Sequence, residues 1–283
     1  MAKITSGIKA FTRCTLGLLL SLTLSLSFSL SLSLSLSNSV LAAGAAPIHT
    51  SLDISKAPDA ADYGQKSQAL IEEWYPRINV ALFGEGHPLP FDTVHIIFEP
   101  VLVIDGAAAY AEYTQDTGII HVSSKYIQAM PDDFRAMMIH ELSHLNQHYP
   151  PSPPSQNAGW LIEGIADYVR HKYFERDIQP LLQLDAQGKL SGYTKNEPYF
   201  YSLEHDGTSL EDHGYMKAYT VASTFLYWLE TRKNKDIVQK LNLALSQGDY
   251  SDTLFKTYSG ETLDRLWRDF VAESKARRGN PAS

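Results

Sequence analysis

The chain has 283 residues, 44% of them apolar and 20% charged, which is enough apolar content for a sizeable folded core and excludes wholesale disorder. It carries 24 basic against 32 acidic side chains, and a net charge of −8 argues against a grip on phosphate backbones, so no nucleic acid partner is expected. One cysteine, Cys14, lies near the N-terminus, leaving the rest of the chain without thiols, so any metal must be held by His, Asp or Glu.

Lys3, Lys9 and Arg13 precede an uncharged stretch from Cys14 to Leu52, in which Leu alternates with Ser before the small residues Ala42-Ala43-Gly44-Ala45-Ala46. That order is the layout of a secretory signal over residues 1–46, and it predicts an exported protein, secreted or periplasmic, with no stable membrane insertion after cleavage. An uncleaved N-terminal anchor is the alternative, because the stretch approaches spanning length. Cleavage removes three bases and no acid, which takes the balance from −8 to −11.

Residues 47–63 have no clear period and read as a linker or arm. Residues 64–279 read as one domain, with a sheet-containing part over 64–148 and a helical part over 149–279, followed by a tail at 280–283. Between Ser67 and Phe83 the apolar residues Leu70, Ile71, Trp74, Ile78, Val80 and Leu82 make an imperfect helical stripe, with a break expected at Pro76. Three β-rich runs follow, Thr93 to Phe98, Ala107 to Tyr113 and Gly118 to Val122, and they predict a small, mostly antiparallel sheet.

Beyond Pro131-Asp132-Asp133 the period changes to that of a helix, marked by Phe134, Met137, Met138, Leu142 and Leu145, which must end near Tyr149 because four prolines follow by Pro154. A second helix is expected from about Asn157 to Phe174, an irregular stretch over 185–214, and further helices near 215–231, 235–246 and 261–276. Strands first and helices afterwards give an α+β fold.

The first of these helices carries His140-Glu141-Leu142-Ser143-His144, an H-E-x-x-H pattern. Residues four apart project from one helical face, so two imidazoles can reach one metal ion with Glu141 beside them. A polar helix face with two histidines is the plainer reading of those residues alone. A zinc site needs a third protein ligand and an open position. His148 continues the spacing but lies about 12 Å along the axis from His140, at about 1.5 Å per residue. The H-E-x-x-H-x-x-G-x-x-H solution is excluded, since Gln147 and Pro150 stand at its glycine and final histidine positions.

Glu163 is the better third ligand, because the interval from His144 lets one helix stop, turn and return as another. Asp167, four residues later on the same face, can accept the free ring N–H of a ligating histidine. A solvated acidic face is the alternative, yet both acids stand among Leu161, Ile162, Ile165, Ala166 and Val169, and buried acids need partners.

These residues resemble the zincin metallopeptidases of the thermolysin-like type. More particularly, Ile139 to Gln147, Leu161 to Arg170, Ala218 to Leu226, Leu241-Asn242, Tyr250 to Asp252 and Leu263 to Phe270 are similar to the plant basic secretory protein family, a group of secreted peptidases. The similarity covers about half the chain. It departs in overall charge, which is acidic here, and at Ala218, where the family has glycine.

The resemblance implies a zincin-like fold, one catalytic Zn2+ held by His140, His144 and Glu163, Asp167 in support, Glu141 as general base and a peptide or protein substrate. It implies an oxyanion donor from the later helices, with Tyr219 the first choice and Tyr215 and His213 the others. It also likens the strand Gly118 to Val122 to the edge strand that pairs with extended substrate. No G-x-M-E-N segment for a substrate amino terminus lies upstream, so endopeptidase action is expected. The competing functions are a non-catalytic binding module on the same scaffold and a metal-dependent hydrolase of a non-peptide bond.

Overall fold

The computed structural model describes residues 48–104, 106–150, 158–188, 190, 210, 213–217 and 219–278. The secretory segment expected over 1–46, most of the irregular stretch and the tail at 280–283 lie outside the described residues.

The segment expected to be a linker instead supplies strand β1, His49–Asp53, followed by a 3-10 turn at Pro58–Ala60. Helix α1, Ala61–Phe83, then runs through Pro76 without a break. The missing N–H is outweighed by burial: Leu70, Ile71, Tyr75, Ile78 and Leu82 are each 5% exposed or less. Strand β2, Thr93–Glu99, alternates strictly, with Val94, Ile96 and Phe98 buried and its other residues partly exposed. β3, Ala109–Tyr113, and β4, Gly118–Ser123, form a hairpin closed by the Thr114 N–H donating to the Thr117 carbonyl at 2.9 Å.

The sheet order is β1-β2-β4-β3, and only β3–β4 is antiparallel; β1–β2 and β2–β4 are both parallel. The sheet is therefore mixed, which corrects the expectation of a mostly antiparallel one. Two connections explain this. α1 is a crossover that returns β2 alongside β1 in the same direction, and the stretch between β2 and β3 carries the chain past the next strand position, so β4 fills the gap. β4 is thus internal, and β1 and β3 are the two edge strands.

Ser123 caps the short helix α2, Ser124–Ala129, its Oγ accepting from the Tyr126 N–H at 3.2 Å. A 3-10 turn at Pro131–Asp133 leads into α3, Phe134–Gln147. α3 is buried on nearly every side, sharing one core with the inner face of the sheet and with α1. His148 ends it in the left-handed region at φ 30°.

α4, Gly159–Val169, continues into a π-helical turn, Arg170–Glu175. After a 3-10 turn at Gly214–Lys217 come α5, Tyr219–Arg232; α6, Ile237–Gln247; α7, Thr253–Ser259; and α8, Leu263–Arg278. Trp160 of α4, Phe225 and Trp228 of α5 and Trp267 and Phe270 of α8 interlock as an aromatic core. The fold is α+β, and among the described residues no helix is long and apolar enough to cross a membrane.

Candidate metal centre

α3 and α4 bring the predicted residues together. A Cβ placed on Gly164 would stand 2.6 Å from Cβ of Ala222, so only glycine lets α4 lie this close to α5. Its neighbour Glu163 is carried toward α3. Nε2 of His140 and Nε2 of His144 lie 3.0 Å apart, and Oε2 of Glu163 lies 3.1 Å from the first and 3.3 Å from the second.

The other ring nitrogens decide what those atoms can be. Nδ1 of His140 faces Oδ1 of Asp167 at 2.7 Å, and Nδ1 of His144 faces Oε1 of Gln147 at 2.7 Å. Both partners accept only, so each Nδ1 carries a proton, and with Nε2 deprotonated, as metal binding requires, each ring would turn a lone pair toward the other and toward a carboxylate oxygen. Three lone pairs aimed at one point repel unless a cation stands between them. Tetrahedral bonds of about 2.0–2.1 Å give ligand–ligand edges of about 3.3 Å, so the donor set and its spacing fit a divalent ion.

Electrostatics point the same way. Burial alone would lower the pKa of His140, but Asp167 and Glu163 outweigh it and hold the ring well above its ordinary value. Burial likewise opposes the charged form of His144, and Glu163 reverses the effect. Burial would raise Glu163, yet the two histidines pull it far below the usual carboxylate range, and Asp167, 2% exposed, is drawn to about 2 against its burial by the His140 contact. The site demands positive charge, which protons meet in the ion-free protein and a metal ion would meet in their place.

Glu141 has the opposite balance. Burial raises its pKa, opposed by His140 and His144, and the Ala111 amide of β3 also acts on it. It lines a cleft of about 530 Å³ with His140, His144, Glu163, Asp167, Tyr219, the start of β3 at Ala109 to Ala111, and Met137.

Of the three oxyanion candidates, only Tyr219 lines this cleft, its ring 6.0 Å from that of His140 and nearly parallel to it. Its backbone sits at φ 48°, a region that costs a non-glycine residue energy and recurs at functional sites. Tyr215 is 4% exposed and packs on Trp160 and Trp267, and His213 pairs with Asp264 at 3.4 Å. His148 does not join the three-atom cluster; it stands against Phe91 and Tyr113. The strand beside the cleft is β3, so the substrate-edge expectation moves from β4 to β3.

Sequence reasoning missed two supports. Gln147 orients His144 and donates its amide to the Ile162 carbonyl at 3.0 Å, tying α3 to α4; its i+3 spacing from His144 was a usable signal. Thr220 donates to Oδ2 of Asp167 at 3.2 Å from a distant segment, and no local pattern announces it.

A family model described as a peptidase of plants and bacteria, BSP, matches residues 34–195 and 196–270. The chain belongs to this family. BSP is a peptidase family, and the membership agrees with the basic secretory protein resemblance of the motif segments. No curated protein and no solved structure matches the chain.

Proposed function

We propose that this BSP peptidase is an exported, zinc-dependent endopeptidase on a zincin-like scaffold. The observation that carries the reading is the convergence of two imidazole lone pairs and a carboxylate oxygen at 3.0–3.3 Å, with an acid behind the first ring and an amide behind the second. His140, His144 and Glu163 would hold the ion. When bound, zinc lowers the pKa of a water toward neutrality and polarises a carbonyl.

The chain supplies the rest. Asp167 and Gln147 lock the two rings so that Nε2 of each faces inward. A carboxylate oxygen of Glu141, made more basic by burial, takes the proton of the attacking water and later delivers it to the nitrogen of the departing amine. The free edge of β3 can accept an extended peptide as an added strand, and Tyr219 is placed to donate to the oxyanion.

Zinc stoichiometry and cleavage of peptides blocked at both ends test the reading. The wild type and Glu141→Gln are expected to bind one zinc per chain, with turnover in the variant reduced by about 10²–10⁴-fold. Equal turnover in both would overturn the mechanism, and cleavage only of substrates with free termini would overturn the endopeptidase assignment. The N-terminus of the protein recovered outside the cell tests export.

A further inference from the structure

A second histidine stands behind Asp167. His171, 8% exposed, lies on the π-helical turn that follows α4. Arg176 at φ 59° reverses the chain after that turn, and the Asp177 N–H bonds back to the His171 carbonyl at 3.1 Å. The reversal sets two acids against one side of the ring: Nδ1 is 2.9 Å from Oδ1 of Asp177 and 3.1 Å from Oε2 of Glu175. On the other side, Nε2 is 3.3 Å from Oγ1 of Thr220 and 4.0 Å from Oδ2 of Asp167.

The oxygens at these distances from the two ring nitrogens belong to carboxylates or to a hydroxyl able to accept, and the Arg170 cation nearby works against the ring's charge. Both ring nitrogens therefore donate, and the ring is an imidazolium. Burial works against that charge, but Asp177 and Glu175 outweigh it and bring the pKa to about 10. The hydroxyl of Thr220 accepts from Nε2–H of His171 and gives its own proton to Oδ2 of Asp167, whose Oδ1 takes Nδ1–H of His140. Two hydrogen bonds thus run from the cation at 171 through Thr220 to Oδ2 of Asp167, and His140 donates to the other oxygen of the same carboxylate.

We propose that His171 is a positioning residue for His140: an anchored cation that, through Thr220, fixes the far oxygen of Asp167 and so holds the His140 ring in the orientation its ligand role needs. This rests on the metal reading proposed above. Without His171, Oδ2 keeps the Thr220 hydroxyl at 3.2 Å but loses the cation that anchors that hydroxyl, and the carboxylate gains freedom to turn. His171, Glu175 and Asp177 do bring ligand-type atoms within 4.8 Å of one another, as a second metal site would. However, Nε of Arg170 lies 2.9 Å from the same Oε2 of Glu175 that faces His171, so a fixed cation already occupies that oxygen.

The test is zinc affinity by chelator competition, with kcat, KM and thermal midpoint, for the wild type, His171→Gln, His171→Leu and Asp177→Asn. His171→Leu is expected to raise the zinc Kd about 10-fold and to lower kcat with KM little changed. His171→Gln, which keeps a donor toward Thr220, should recover part of the loss. Asp177→Asn leaves the ring and its burial in place and removes only one anchor, so it carries the test if the leucine variant does not fold; it should shift the zinc Kd in the same direction by a smaller factor. Wild-type zinc affinity and kcat in the folded variants would overturn the proposal, even if their thermal midpoints fall. Two zinc ions per wild-type chain, one of them lost in His171→Leu, would overturn it in favour of a second metal site. A wild type that takes up no zinc would instead remove the metal reading itself, so the two failures are distinguishable.

Discussion

At the scale of single residues, the centre is legible in the sequence wherever its geometry is local. His140 with His144 and Glu163 with Asp167 repeat the four-residue spacing that places two side chains on one helical face, and the structure brings both pairs to one point. Thr220 lies 53 residues from Asp167, so its part comes from tertiary packing and leaves no periodic trace. The charge on His171 makes a separate claim on stability. Its folded pKa of about 10 lies above the ordinary 6.5, so its contribution is fully present below about pH 6.5 and is lost as pH rises through about 10. The stability difference between the wild type and His171→Gln, read as denaturant midpoints, should therefore be larger at pH 6 than at pH 10.5. A pH-independent difference would mean that the ring contributes by packing alone.

Among the elements, the contact of α4 with α5 is the tightest constraint on the site. Gly164→Ala drives a methyl group into Ala222 and should cost about 1–3 kcal/mol in denaturant unfolding, because neither helix backbone can yield freely. It should also weaken zinc binding, since Glu163 is the adjacent residue. The short helices α2 and α7 were not foreseen, whereas the longer helices and the three later strands were visible in their apolar periods. The direction of pairing was not. β1 is five mostly exposed residues whose role is set by a partner more than forty residues away, and hydrophobic alternation in β2 is the same for a parallel or an antiparallel neighbour. Pro76 was misjudged because propensity is local, whereas the burial that keeps α1 continuous is shared with the sheet and α3.

At the scale of the whole molecule, the metal reading predicts linkage between loading and folding. A ligand present at 100 times its Kd stabilises the native state by about 2.7 kcal/mol, so removal of zinc by a chelator should lower the unfolding midpoint and return of zinc should restore it. The loss should be much smaller in Glu163→Gln, which has already surrendered a ligand. A chelator that leaves the wild-type midpoint unmoved would count against a metal bound by the folded chain.

Every proposed ligand falls between residues 140 and 163, yet α4 is held in place by α5, Phe225 packing on Trp160, and α5 is in turn backed by Trp267 of α8. A polypeptide ending at residue 210 would retain the entire coordinating set and lose the buttress that aims it. Possession of the signature is thus separable from competence, and fragments of such chains that carry the motif should be inert.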